Sequence, residues 1–200
     1  MPGGLSSRKR NTIPEESPIP EYKTANKFRT INRNDVETWL STKSENWVKA
    51  LMIFLYLYGV RIGEALQIKR EDLYIQEDYL FLITPVSTLE KNPDPYPRRL
   101  PISVRSPGAP YLLAYLEALD PDDLLFPYSR SYSWKMIHRI DPELSPHVFR
   151  HNRATEFSLQ DATDSELQAW LGHSDPRQAS TYRHRSGVLS EKLGKRSTIL

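Results

Sequence analysis

Residues 44–66 read SENWVKALMIFLYLYGVRIGEAL. From Ala50 to Tyr58 the run is apolar without a break. It is too short to cross a bilayer and too apolar on every side for a surface helix, so it predicts a helix in the core. Ser44 is placed to cap its start, and Gly59 to close it in the left-handed conformation that other residues avoid. A tight turn then delivers Arg61 to a second helix, RIGEALQI (61–68), amphipathic through Ile62, Ala65 and Leu66. Glu64 follows Arg61 by one helical turn and is expected to anchor that arginine or a helix N-terminus.

Upstream, Asn34-Asp35 reads as a helix start, with Val36, Trp39 and Leu40 on one face. Residues 1–25, rich in Pro, Gly, Ser and charge, have little to bury and read as a flexible basic arm. Downstream the period changes. YLFLI (79–83) and RRLPIS (98–103) predict two short strands, and the Pro-studded link LEKNPDPYP (89–97) between them cannot be helical. Helical patterning returns over 108–119, 131–139, 146–159, 164–171 and 176–184, and a basic tail fills 188–200. The expected fold is mostly α with a small antiparallel sheet, an α+β domain spanning 26–187. Trp39, Trp47, Phe54, Tyr56, Trp134 and Trp170 are assigned to its core.

The 200 residues are 38% hydrophobic and 26% charged, a globular balance. No cysteine is present, which removes disulfides, thiolate metal sites and cysteine nucleophiles and fits a reducing cytoplasm. No signal-peptide pattern opens the chain. The formal net charge of +2 hides a polarised distribution. Residues 1–33 hold seven Lys/Arg against three acids, residues 34–176 fourteen against twenty-one, and residues 177–196 six against one. Basic flanks suit phosphate contacts with nucleic acid as well as they suit solvated tails.

A second stretch, SPHVFRHNRATEF (145–157), crowds His147, Arg150 and His151 into the start of a helix, with Ser145 as N-cap and Pro146 in the first turn. On a helix the three lie within an arc of about 100°, and Ala154 and Phe157 continue that side, so the cations are expected to face inward. There they need an anionic partner. A phosphate at the helix N-terminus would serve, and so would a core carboxylate for Arg150 with backbone partners for the histidines. A zinc reading is weaker: His147 and His151 are four apart, but Val148 stands where the metalloprotease helix needs Glu. Two more segments matter. LGHSD (171–175) ends a helix on His173, and STYRHRSG (180–187) presents Tyr182 nine residues later.

Taken in order, GVRIGEAL, HVFRH, LGH and the following tyrosine resemble the catalytic domain of tyrosine recombinases of the phage-integrase type, over about residues 34–187. That resemblance implies two arginines, two histidines and a hairpin lysine around one DNA phosphate, and a tyrosine that attacks it. By motif, Arg61 and Arg150 resemble the two arginines, His147 and His173 the two histidines, and Tyr182 the nucleophile. Lys91, in the link between the strands, resembles the lysine, although its surroundings lack the usual Gly- or Lys-rich hairpin. His151 is expected to support or pack behind them. The implied activity is site-specific recombination through a covalent 3′-phosphotyrosine, with no cofactor and no metal. The implied partners are double-stranded DNA and one or three further copies of the chain, in the cytoplasm, with an integrated virus or plasmid as a plausible home. Type IB topoisomerase activity, a non-catalytic DNA-binding role and a metal-dependent hydrolase are the alternatives. Members of the family usually carry a separate DNA-binding domain ahead of the catalytic one. Only 33 residues precede Asn34 here, so a catalytic fragment or a minimal recombinase is expected.

Overall fold

The structure is a computed structural model that describes residues 29–84, 97–160 and 162–172. The expected arm at 1–25, the helix at 176–184 and the tail at 188–200 lie outside the described residues.

Helix α1 (Arg33–Ser41) starts earlier than Asn34-Asp35 suggests, because Asn32 is its cap. The Asn32 side chain accepts from the N–H groups of Asn34 and Asp35, and the Asp35 carboxylate accepts from Asn32 N–H at 2.8 Å. Helix α2 (Asn46–Tyr58) is the central element, buried along nearly its whole length and packed against α1, α3, α4, α5 and α6. Ser44 does not cap it: Glu45 holds that position and makes no side-chain cap bond. Gly59 closes it as expected, with φ +63° and its N–H on Leu55 O at 2.9 Å. Helix α3 (Ile62–Ala65) is a single turn, shorter than the pattern over 61–68 predicts.

The sheet has three antiparallel strands in the order β1 (Leu73–Gln76), β2 (Tyr79–Ile83), β3 (Arg99–Ser103). Only β2 and β3 are legible as strands in the sequence. Strand β1 buries Leu73 alone and exposes Tyr74, Ile75 and Gln76, so it lacks the alternation that marks a half-buried strand. Leu73 faces Leu82, and Leu82 faces Leu100; Leu80 faces Ile102. These five residues form the sheet's share of the core, while Phe81 lies under Tyr74 and Arg99 on the other face.

Helices α4 (Ala109–Glu117), α5 (Arg130–Ile140), α6 (Pro146–Leu159) and α7 (Asp164–Leu171) complete the described fold. Thr163 caps α7 in a reciprocal box with Glu166. Phe149 on α6 meets Trp39 edge-on, and Phe157 meets Trp170 at 4.8 Å between ring centres. Burying each phenylalanine contributes ~1.5–3 kcal/mol. Trp134 departs from the core assignment: it is half-buried and stacks on His138 at 4.8 Å. No helix among the described residues is long and apolar enough to cross a membrane.

Two contacts bring the ends of α2, α6 and α7 together. A Cβ on Gly59 would stand 2.8 Å from Arg153 Cβ, so glycine is what lets α6 approach the end of α2. The Trp170 indole N–H donates to Tyr58 O at 2.8 Å and ties α7 to the same end. Of the motifs read in the sequence, GVRIGEAL, HVFRH and the Leu171-Gly172 start of LGH fall at this junction; His173 and the tyrosine segment lie outside the described residues.

Candidate active site

Two helices end on one another here, α2 at Gly59 and α7 at Gly172. Helix C-termini leave carbonyls without partners and carry partial negative charge, so they attract cations. Three arginines answer. Arg150, from the first turns of α6, donates to Gly59 O at 3.1 Å and to Leu171 O at 2.5 Å. Arg98, at the entry to β3, donates to Trp170 O. Arg61, at the start of α3, makes a long contact with Gly172 O at 3.5 Å. One carboxylate is set among them. Glu64 accepts from Arg61 N–H at 2.8 Å, pairs with Arg98 Nη2 at 2.9 Å and stands 3.6 Å from Arg61 Nη1. Glu64 thus anchors both Arg61 and the start of α3, as the spacing suggests.

Among the described residues, three guanidiniums against one carboxylate leave two positive charges in excess at this junction. Arg150 is only 8% exposed. Burial pushes its pKa down to about 9, and Arg61 and Arg98 push the same way against the pull of Glu64. A buried cation whose charged form is disfavoured by its neighbours gains most from an arriving anion. Arg61 is the accessible member, its side chain 35% exposed.

The helix carrying HVFRH faces the core differently from the expectation. Arg150 is buried, but His147 and His151 are exposed. The buried side of α6 is centred on Phe149, Arg153 and Phe157. At ~100° per residue Arg150 lies at the edge of that side, and the two histidines lie beyond it. His151 therefore does not pack against the core. Partial desolvation lowers the His147 pKa, and its neighbours His151, Arg130, Arg150 and Arg61 lower it further. His147 is thus a neutral imidazole near neutral pH, the form able to accept a proton. Ser145 occupies the cap position of α6 without a side-chain bond.

The described residues therefore bring together Arg61, His147 and Arg150 of the six expected site residues. Lys91, His173 and Tyr182 lie outside the described residues. Gly172 shows why LGH carries a glycine: its φ is +65°, and a Cβ there would press on the Arg98 guanidinium at 3.0 Å. Arg98 is the member that the sequence reading did not single out. A signal was present, since strand alternation puts Arg98 on the same side as Leu100 and Ile102, and an inward arginine needs a partner.

Comparison with known proteins bears on the family and the fold. The tyrosine recombinase XerD of Chlorobaculum tepidum is 28% identical over 155 residues, covering 68% of this chain and 48% of the relative. That of Staphylococcus saprophyticus is 29% identical over 164 residues, covering 72% and 52%. The chain thus spans about half the length of these curated relatives. Among solved structures, the XerH site-specific recombinase bound to difH substrate superposes with a TM-score of 0.55 at 20% identity, over 78% of this chain and 50% of that one. The integrase from mycobacterium phage Brujita gives 0.56 at 17% identity, over 90% and 60%. At such identities the superpositions show a shared fold, mostly helical with one small sheet. The phage integrase family model matches residues 24–187, a span that takes in every described element of the fold and the whole arginine cluster, and the chain belongs to that family.

Proposed function

We propose that this chain is the catalytic part of a site-specific DNA recombinase that cuts and rejoins strands through a 3′-phosphotyrosine, without a metal ion. The observation that carries this reading is the excess of positive charge at the junction of α2, α6 and α7, with Arg150 buried and Arg61 accessible. Two forked guanidiniums can hold the non-bridging oxygens of one phosphate and stabilise the charge that builds on them. Tyr182 is the nucleophile. Its oxygen forms the new bond to phosphorus, its proton passes to the neutral His147, and the 5′-oxygen of the cut strand departs. Lys91 donates the proton that this oxygen needs, and His173 bonds the phosphate. The covalent ester conserves the phosphodiester energy, so a 5′-hydroxyl from a second strand reverses the step and completes exchange.

The boundaries proposed are a basic arm at 1–25, the catalytic domain at 26–187 and a basic tail at 188–200. Duplex DNA in the cytoplasm is the substrate, engaged by two or four copies, since exchange joins two sites with two subunits each. Recombination is favoured over type IB relaxation because the similar proteins are recombinases and an integrase. The test is a nicked duplex that traps the cleaved strand, incubated with the protein in EDTA and resolved on a denaturing gel. A covalent protein–DNA band that Tyr182→Phe and Arg150→Ala both abolish is expected. A band that persists in Tyr182→Phe assigns the nucleophile elsewhere, and one that requires a divalent cation overturns the metal-free reading.

A further inference from the structure

We infer that Arg98 is a positioning residue of the phosphate clamp: it holds the charge of Glu64 so that Arg61 stays available to the DNA phosphate. This rests on the reading of Arg61 as a clamp.

The argument starts from how Glu64 is shared. Both of its oxygens are engaged within the fold. Oε2 accepts from Arg61 N–H at 2.8 Å, and Oε1 pairs with Arg98 Nη2 at 2.9 Å. The Arg61 guanidinium is left with the longer contact of 3.6 Å to Oε1. Burial follows the same order. The Arg98 and Glu64 side chains are each 6% exposed, whereas that of Arg61 is 35% exposed. The tight, desolvated ion pair is therefore Arg98–Glu64, and the solvent-facing arginine keeps most of its charge for an incoming anion.

Consider Glu64 without Arg98. Arg61, already 3.6 Å from Oε1, would be the nearest guanidinium left to a carboxylate at this depth, and attraction at short range would draw it onto Glu64. Arg61 would then be neutralised and turned away from the phosphate, even though its own backbone cap remained intact. Arg98 acts through Glu64 and needs no contact with DNA. It also binds Trp170 O beside Gly172, whose missing Cβ leaves room for the guanidinium. A purely geometric role, fixing the end of α7, is thus the competing account.

Charge and geometry separate in three variants. Arg98→Met removes both. Arg98→Lys keeps a cation for Glu64 but cannot fork between the carboxylate and Trp170 O. Arg98→Met/Glu64→Gln removes the carboxylate along with its guard. Two readouts serve. One is the rise in melting temperature in inorganic phosphate over chloride at equal ionic strength. The other is the rate of covalent-complex formation on the nicked duplex at saturating DNA, with DNA affinity measured separately.

Arg98→Met is expected to lose the phosphate response and to cleave about 100-fold more slowly, with affinity for DNA within about 3-fold of wild type. Arg98→Lys is expected to keep the phosphate response. The double variant is expected to regain the response and at least about 10-fold of the rate over Arg98→Met. A double variant no better than Arg98→Met overturns the inference in favour of geometry, as does loss of the response in Arg98→Lys. Should Arg98→Met fail to fold, Arg98→Lys and the double variant carry the test. A wild-type protein that neither cleaves nor responds to phosphate overturns the clamp itself. A responsive wild type with an equally responsive Arg98→Met overturns the role of Arg98 alone.

Discussion

Replacing Arg150 by lysine keeps the charge and removes the fork. The arginine spans two carbonyls that belong to different helix ends, Gly59 O at 3.1 Å and Leu171 O at 2.5 Å. A lysine ammonium can meet one of them, and the other is left buried without its donor. That costs about 1–3 kcal/mol. At the midpoint of ~2 kcal/mol, and ~2–4 °C per kcal/mol for a chain of this size, the melting temperature falls by about 4–8 °C. Chemistry should suffer more. Loss of one forked donor to the transition-state oxygens is worth about 3 kcal/mol, or about 150-fold in rate. The assay is single-turnover covalent-complex formation on the nicked duplex, at saturating DNA and well below the lowered melting temperature. Under those conditions the stability loss does not enter the rate. A melting temperature that falls as computed with a rate within about 5-fold of wild type would show that Arg150 only pins helices, and the clamp argument would fail.

Three further outcomes are expected. Gly59→Ala forces a Cβ into the left-handed region and to within 2.8 Å of Arg153 Cβ, so about 1–2 kcal/mol of backbone strain adds to about 1–3 kcal/mol of overpacking; an unchanged melting temperature refutes the packing account. The folded-state pKa of His147 is lowered below 6.5, chiefly by desolvation and then by neighbouring cations. Its contribution to stability is therefore present above the unfolded value and is lost as pH falls through the folded one. The acid limb of kcat/KM for cleavage should accordingly lie below ~6.5 and disappear in His147→Gln; a limb at or above that pH, or one that survives the substitution, removes His147 as the proton acceptor. Deleting residues 1–25, which hold Arg8, Lys9 and Arg10, should weaken DNA binding and reduce the slope of log K against log salt by about 2–3, whereas an unchanged slope means the arm touches no phosphate.

Much of the fold is legible because its strongest signals are local. A run as apolar as Ala50–Tyr58 has nowhere to go but the core, and α2 is buried from Trp47 onward except at Lys49. Gly59 and Gly172 announce helix ends because only a glycine reaches those backbone angles without strain, and both have positive φ. The order of GVRIGEAL, HVFRH, LGH and a tyrosine was enough to name a family, and that family matches residues 24–187. Other features depend on partners distant in the chain. Strand β1 has no pattern of its own and exists because Leu73 and its neighbours pair with β2. His147 and His151 were expected to point inward on helical spacing, but spacing fixes angles between side chains and not which angle meets the core. Packing of Phe149, Arg153 and Phe157 chose the rotation of α6, leaving Arg150 at the edge and the histidines in solvent. The Arg98–Glu64 pair joins positions 34 residues apart, and Arg150 reaches carbonyls 91 and 21 residues away. Periodicity and capping are properties of neighbouring residues and can be read along the chain. Which cation meets which carboxylate or carbonyl is settled by the meeting of elements, and among the described residues that meeting gathers Arg61, Arg98 and Arg150 at one junction.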